Sequence, residues 1–231
     1  MIACFGDSIT AGNPGVSYIR FLQTKRYKNF GIGGDTLSGL SGRVHNFLRE
    51  TSCSEYIIQI GANDILLPFL SNYSKTWNKT VKRIIARGSI PLSNVNDFKS
   101  EYEKLICRLS DKKVIVISVP CLGENTKGGL NPKADEYNQC IKNLCKKYDI
   151  AYIEFNSWQK EVIETTIAGS SYFISKDYYN VLIDSVITTY LGFSEWISKK
   201  RKLTVTVDGV HLNKKGAKSL ANLIARISYG Y

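Results

Sequence analysis

Along the first 155 or so residues, short apolar runs alternate with stretches whose apolar residues recur at helical spacing. Ile2-Ala3-Cys4-Phe5 is too short to classify by periodicity, but the glycine after it marks a buried strand. Tyr27–Phe30, Tyr56–Ile60, Val114–Val119 and Ala151–Phe155 read as four more strands. Between them, Tyr18, Ile19, Phe21 and Leu22 predict a helix reaching about Lys25, and Leu37, Leu40, Val44, Phe47 and Leu48 predict another. Phe98, Tyr102, Leu105, Ile106 and Leu109 mark an amphipathic helix. Pro132 to Lys147 reads as a helix with Asn131 as N-cap and Pro132 at its first position. Asn213 can cap a last helix that carries Ala217, Leu220, Ala221, Ile224 and Ile227 on one face.

Strands that alternate with helices predict an α/β fold, a parallel sheet covered on both faces. Five strands fit a flavodoxin-like, three-layer α/β/α arrangement, in which ligands bind beyond the carboxyl ends of the strands. The glycine-rich turns after the first three strands lie at that edge. The length suits one domain over residues 1–231.

Two stretches exceed a minimal five-strand domain. Residues 69–96 contain no acid and carry Lys75, Lys79, Lys82, Arg83 and Arg87. They read as a solvated helix face, or as a lure for an acidic glycan or phospholipid head group. Residues 157–207 are rich in aromatics. Here Tyr179, Leu182, Ile183, Val186, Ile187, Tyr190 and Leu191 predict a strong amphipathic helix stopped by Gly192. Trp158, Val162, Thr166 and Ile167 suggest another before it. The segment serves as a cap over the active site, or as extra core or a dimer face. Lys199-Lys200-Arg201-Lys202 reads as a solvated turn.

A net charge of +11 favours anionic substrates or surfaces, but no nucleic-acid-binding signature accompanies it. No apolar run approaches the ~18 residues that span a membrane. The first strand begins at Ile2, which leaves no room for a signal peptide. The six cysteines lack C-x-x-C spacing and read as reduced thiols. A cytoplasmic protein is the expectation.

Candidate chemistry centres on Gly6-Asp7-Ser8, where the first strand ends in a tight turn that presents one serine. The following residues, Ile9 to Gly15, read as a flexible loop. A nucleophilic serine needs a base, a group to orient that base, and donors for the oxyanion. Only His45 and His211 offer imidazole. His45, beside Arg43 in a helical stretch, reads as an ordinary boundary residue. His211 follows Asp208-Gly209-Val210, a spacing at which carboxylate and imidazole can hydrogen-bond. The Ser8 N–H, an N–H at Gly34 and the Asn63 amide are candidate oxyanion donors. Alone, Gly33-Gly34 is a tight turn and Asn63-Asp64 an Asx-type turn.

Together these residues resemble the SGNH hydrolases, the GDSL esterase/lipase family. Gly6-Asp7-Ser8 looks like its first block, Asn29 through Thr36 the second, Gly61-Ala62-Asn63-Asp64 the third and Asp208-Gly209-Val210-His211 the last. Ile9 stands where the family name has leucine. The resemblance implies Ser8 as nucleophile, His211 as base, Asp208 as its orienter, and Ser8, Gly34 and Asn63 as the oxyanion hole. It implies hydrolysis of short acyl esters, on a carbohydrate or a small lipid, with no metal or organic cofactor. Two rival readings are an O-acyltransferase with the same site and a non-catalytic flavodoxin-like module that binds phosphate or flavin at the first loop.

Overall fold

A computed structural model describes residues 1–24, 26–166 and 170–229. Five parallel strands form one sheet: β1 (Ile2–Gly6), β2 (Tyr27–Gly31), β3 (Glu55–Gln59), β4 (Lys113–Ile117) and β5 (Ala151–Ile153). Their order is β2-β1-β3-β4-β5, the flavodoxin-like order with its topological switch between β1 and β3. Pairing is in register along the sheet; Phe5, for example, faces Phe30 on one side and Ile58 on the other. β1 is buried throughout, as its unbroken apolar run requires.

Ten α-helices accompany the described sheet: α1 (Ser8–Ala11), α2 (Leu37–Glu50), α3 (Ala62–Ser71), α4 (Lys75–Ala86), α5 (Val95–Arg108), α6 (Asn131–Lys147), α7 (Phe155–Glu164), α8 (Tyr178–Ser185), α9 (Ser194–Lys200) and α10 (Lys214–Tyr229). α5 packs between α2 and α6, while α10 packs against α7 and β5. These two helical layers enclose the sheet in three-layer α/β/α form.

Several local expectations change. Tyr18–Phe21 is a single 3₁₀ turn, because the chain extends at Leu22; Lys25 lies outside the described residues. The expected flexible loop after Ser8 is ordered. Ser8–Ala11 is helical, with the Asp7 side chain capping the Ile9 N–H. Asn131 is the first residue of α6 rather than its cap. Its amide instead accepts from Leu122 N and donates to the Gly123 and Asn125 carbonyls, which fixes the loop before α6. Asn213 does cap α10, accepting from Gly216 N.

The long helix expected from Tyr179 divides. α8 passes at Val186 into a π-helical turn, Val186–Tyr190. Its apolar stripe also turns outward: Tyr179, Leu182, Ile183, Val186, Tyr190 and Leu191 are all exposed. The inward face is Val181, Asp184 and Thr188; Val181 joins the main core, and hydrogen bonds hold the rest. The Asp184 carboxylate takes both Nη atoms of Arg201 at 2.8 Å. Thr188 accepts from Gly15 N at 2.9 Å. Thr189 donates to the Gly12 and Gly15 carbonyls, and Ser185 contacts the Asn13 side chain. Arg201, expected in a solvated turn, is therefore half-buried in an ion pair. Ile167 lies outside the described residues, but the helix suggested around Trp158 and Val162 is α7.

Candidate active site

β1 ends at Gly6, and the chain turns at once into α1. A Cβ on Gly6 would lie 2.1 Å from Thr10 Oγ1 and 2.6 Å from the Gln59 carbonyl, so only glycine fits so tight a strand-to-helix turn. The turn places Ser8 beyond the carboxyl edge of the sheet, at the β1/β3 switch. His211 arrives from the loop before α10, 203 residues further along the chain. Its Nε2 stands 2.9 Å from Ser8 Oγ. Its Nδ1 stands 2.7 Å from Asp208 Oδ2.

The Asp208 carboxylate also accepts the Val210 and His211 backbone N–H groups through Oδ1. Burial pushes its pKa up, but His211 and these two N–H groups outweigh burial and hold it below 3.8. For His211, burial pulls downward. The Asp208 charge and hydrogen bond, with Asp7 and Asp184 further away, raise its pKa above 6.5.

Gly34 adopts φ +77° in the turn after β2, a conformation suited to glycine. Asn63 lies in the first turn of α3 and donates one amide proton to the Asp35 carbonyl at 2.9 Å. Its second amide proton remains for a ligand. The Ser8 and Gly34 N–H groups have no acceptor among the described residues. Ser8, Gly34, Asn63 and His211 all line one cavity of about 570 Å³. The Asx-type turn weighed for Asn63-Asp64 is absent, since both residues are helical. Asp64 instead anchors α2 and the loop before α5, accepting from Leu37 N and Leu92 N. His45 does not line this cavity.

Sequence reasoning missed one residue, Glu124, and one pairing. Glu124 is buried and accepts from Thr204 N, Val205 N, Thr206 N and Thr206 Oγ1 at 2.6–3.0 Å. It thereby fixes Thr204 to Thr206, just ahead of Asp208. The pairing joins the two long insertions, residues of which line the same cavity. Trp77 Nε1 of α4 donates to the Ser175 carbonyl at 2.8 Å, and its ring stacks edge-on against Tyr178. An isolated acid before a glycine-rich loop carries no signal of its own, and neither does a pairing between segments a hundred residues apart.

Comparison with known proteins gives a fold and a family. No curated protein matches the sequence significantly. Among solved structures, Axe2, an acetylxylan esterase from Geobacillus stearothermophilus, shares 16% identity at a TM-score of 0.63, covering 97% of this chain and 92% of that one. The acetyl xylan esterase AlAXEase shares 17% identity at 0.63, covering 98% and 99%. LAE5, an α/β hydrolase from the metagenome of Lake Arreo, Spain, shares 14% at 0.63, covering 97% and 92%. At these identities the likeness shows the fold. The family model for GDSL-like lipase/acylhydrolase matches residues 2–224, and the chain belongs to that family.

Proposed function

We propose that this protein hydrolyses carboxylic esters through an acyl-enzyme on Ser8. The observation that carries the reading is the unbroken relay of Ser8 Oγ, His211 and Asp208 at 2.9 and 2.7 Å. His211 Nε2 accepts the Ser8 proton as Oγ attacks the ester carbonyl. Asp208 keeps the imidazole proton on Nδ1 and stabilises the imidazolium. The oxyanion is received by the Ser8 and Gly34 N–H groups and the free Asn63 amide proton. His211 then protonates the leaving alcohol, and water releases the acyl group by the same steps in reverse order.

Family membership and the histidine on Ser8 favour this reading over a phosphate- or flavin-binding module, which has no use for such a base. An alcohol in place of water would make the same site an acyltransferase; the family favours water. Glycan and small-molecule esters are the substrates in view, and the cavity accepts more than an acetyl group. The two insertions form a cap over that cavity, a role supported by the Trp77–Ser175 bond and the shared lining. The six cysteines are free thiols, which supports the cytoplasmic expectation.

Steady-state hydrolysis of a soluble nitrophenyl ester tests the roles. Ser8→Ala is expected to lower kcat by a factor on the order of 10⁴ or more. Asn63→Ala is expected to lower it by roughly 10²–10³ with little change in KM. An Asn63→Ala enzyme with unaltered kcat would remove that residue from the oxyanion hole.

A further inference from the structure

Two arginines of the α4 segment, Arg83 and Arg87, line the same cavity as Ser8 and His211. Four residues apart, they share one face. Between them Ile84 packs onto the oxyanion turn: a Cβ on Gly34 would lie 2.8 Å from Ile84 Cδ1. Arg87 follows Ile84 by three residues, about 4.5 Å along a helix axis. Both arginines therefore flank the residue that packs on the oxyanion turn.

Among the described residues nothing neutralises their charge. Both arginines are exposed, and neither forms an ion pair among the described residues. No carboxylate lines the cavity, and none occurs in the sequence between Asp64 and Asp97. Guanidinium groups suit phosphate and carboxylate, which they bind in a two-pronged fashion. Another part of the wall differs in character: Leu66, Leu67, Leu70, Trp77 and Val181 are apolar. Its volume of about 570 Å³ falls in the range of roughly 300–1,000 Å³ that encloses drug-sized ligands. An acetyl group would leave most of it empty.

We propose that the physiological substrate is an ester of an anionic alcohol with an acyl chain longer than acetyl. The chain lies among the leucines and Trp77, and the phosphate or carboxylate of the alcohol pairs with Arg83 and Arg87. The inference rests on Ser8 being the nucleophile. Ser8 Oγ bonds to the acyl carbon as the alcohol leaves with its anion and a proton from His211, and water then takes the acyl group from Ser8 as the free acid. Because the arginines are exposed, the preference weakens as salt rises.

Four octanoyl esters below their aggregation concentrations test this. 1-Octanoylglycerol 3-phosphate and O-octanoyl-lactate are anionic, 1-octanoylglycerol is neutral and octanoylcholine is cationic. The expected kcat/KM order is anionic, neutral, cationic, with about tenfold between the first two at low salt. A larger ratio for the phosphate or for the lactate ester identifies which anion the arginines suit. In Arg83→Gln/Arg87→Gln, the anionic-to-neutral ratio falls to within about twofold of one through a higher KM for the anionic esters. Arg87→Glu reverses the order. Lys82→Gln, on the same helix but outside the cavity, keeps the ratio. A wild-type ratio of one overturns the proposal. So does a double variant that loses rate equally on every ester, which would assign the arginines to the oxyanion instead. Fluorophosphonate labelling of Ser8 without hydrolysis of any of the four also overturns it. Absence of both labelling and hydrolysis in folded protein overturns the serine-hydrolase reading beneath it.

Discussion

In the proposed mechanism His211 works only while its imidazole is neutral, and the acids around it set when that is so. Asp208 is one; Asp7, directly before the serine, is another. Asp7 is fully buried, and its Oδ2 has no hydrogen-bond partner among the described residues. Burial pushes its pKa up to about 7, against the opposing pull of the Ile9 N–H and His211. Its charge in turn raises the His211 pKa. Asp7→Asn keeps the cap on α1 but removes that charge, so the acidic limb of the kcat/KM profile is expected to move to lower pH. Wild-type kcat/KM itself is expected to fall through an apparent pKa above 6.5 as pH drops. Stability follows the opposite sign from a salt-bridged acid. The folded state holds the Asp7 proton more tightly than the unfolded chain, so stability is lost as pH rises from about 4 to about 7. Between an ordinary 3.8 and about 7 the loss is at most about 4 kcal/mol. Urea unfolding is therefore expected to show Asp7→Asn gaining stability over wild type at pH 8 and little at pH 4. An unmoved acidic limb and an unmoved midpoint at pH 8 would contradict this account.

At the scale of elements, the loops that carry the site are held by buried polar anchors. Glu124 is the clearest, since its carboxylate gathers three backbone N–H groups and one hydroxyl just ahead of Asp208. Glu124→Gln keeps the shape but turns an N–H₂ toward those donors. It is expected to cost about 1–3 kcal/mol in urea unfolding and to lower kcat more than it raises KM. A variant with wild-type kcat would show that His211 needs no such brace. These anchors explain what the sequence could and could not tell. β1 through β5 were legible because an apolar run bounded by turn residues has few alternatives. The Ser8, Gly34, Asn63 and Asp208–His211 blocks were legible because each ends a strand or precedes α10. The α8 stripe was legible as a helix signal, but periodicity carries no direction. There the inward face is set by Asp184 with Arg201 and by Thr188 with Gly15, contacts between segments far apart in sequence. Asn131 and Glu124 were unreadable for the same reason: their partners are loops, not neighbours.

At the scale of the molecule, sheet order does the assembling. With β1 central and β3 beside it, turns after β1, β2 and β3 converge on one edge, and the loop before α10 returns there with the histidine. No described helix is long and apolar enough to cross a membrane. In the proposed reading the insertions decide what reaches Ser8, as a cap over a cavity with two arginines on its wall. All of this depends on one claim, that Ser8 is an activated nucleophile. Intact-mass spectrometry after treatment with a small fluorophosphonate tests it most directly, run on wild type, Ser8→Ala and His211→Ala. The account predicts a single phosphonyl adduct in wild type, mapped to the Ser8 peptide with loss of fluoride. It predicts no adduct in Ser8→Ala and a much slower one in His211→Ala. Folded wild-type protein that stays unmodified, or an adduct that persists in Ser8→Ala, would contradict it.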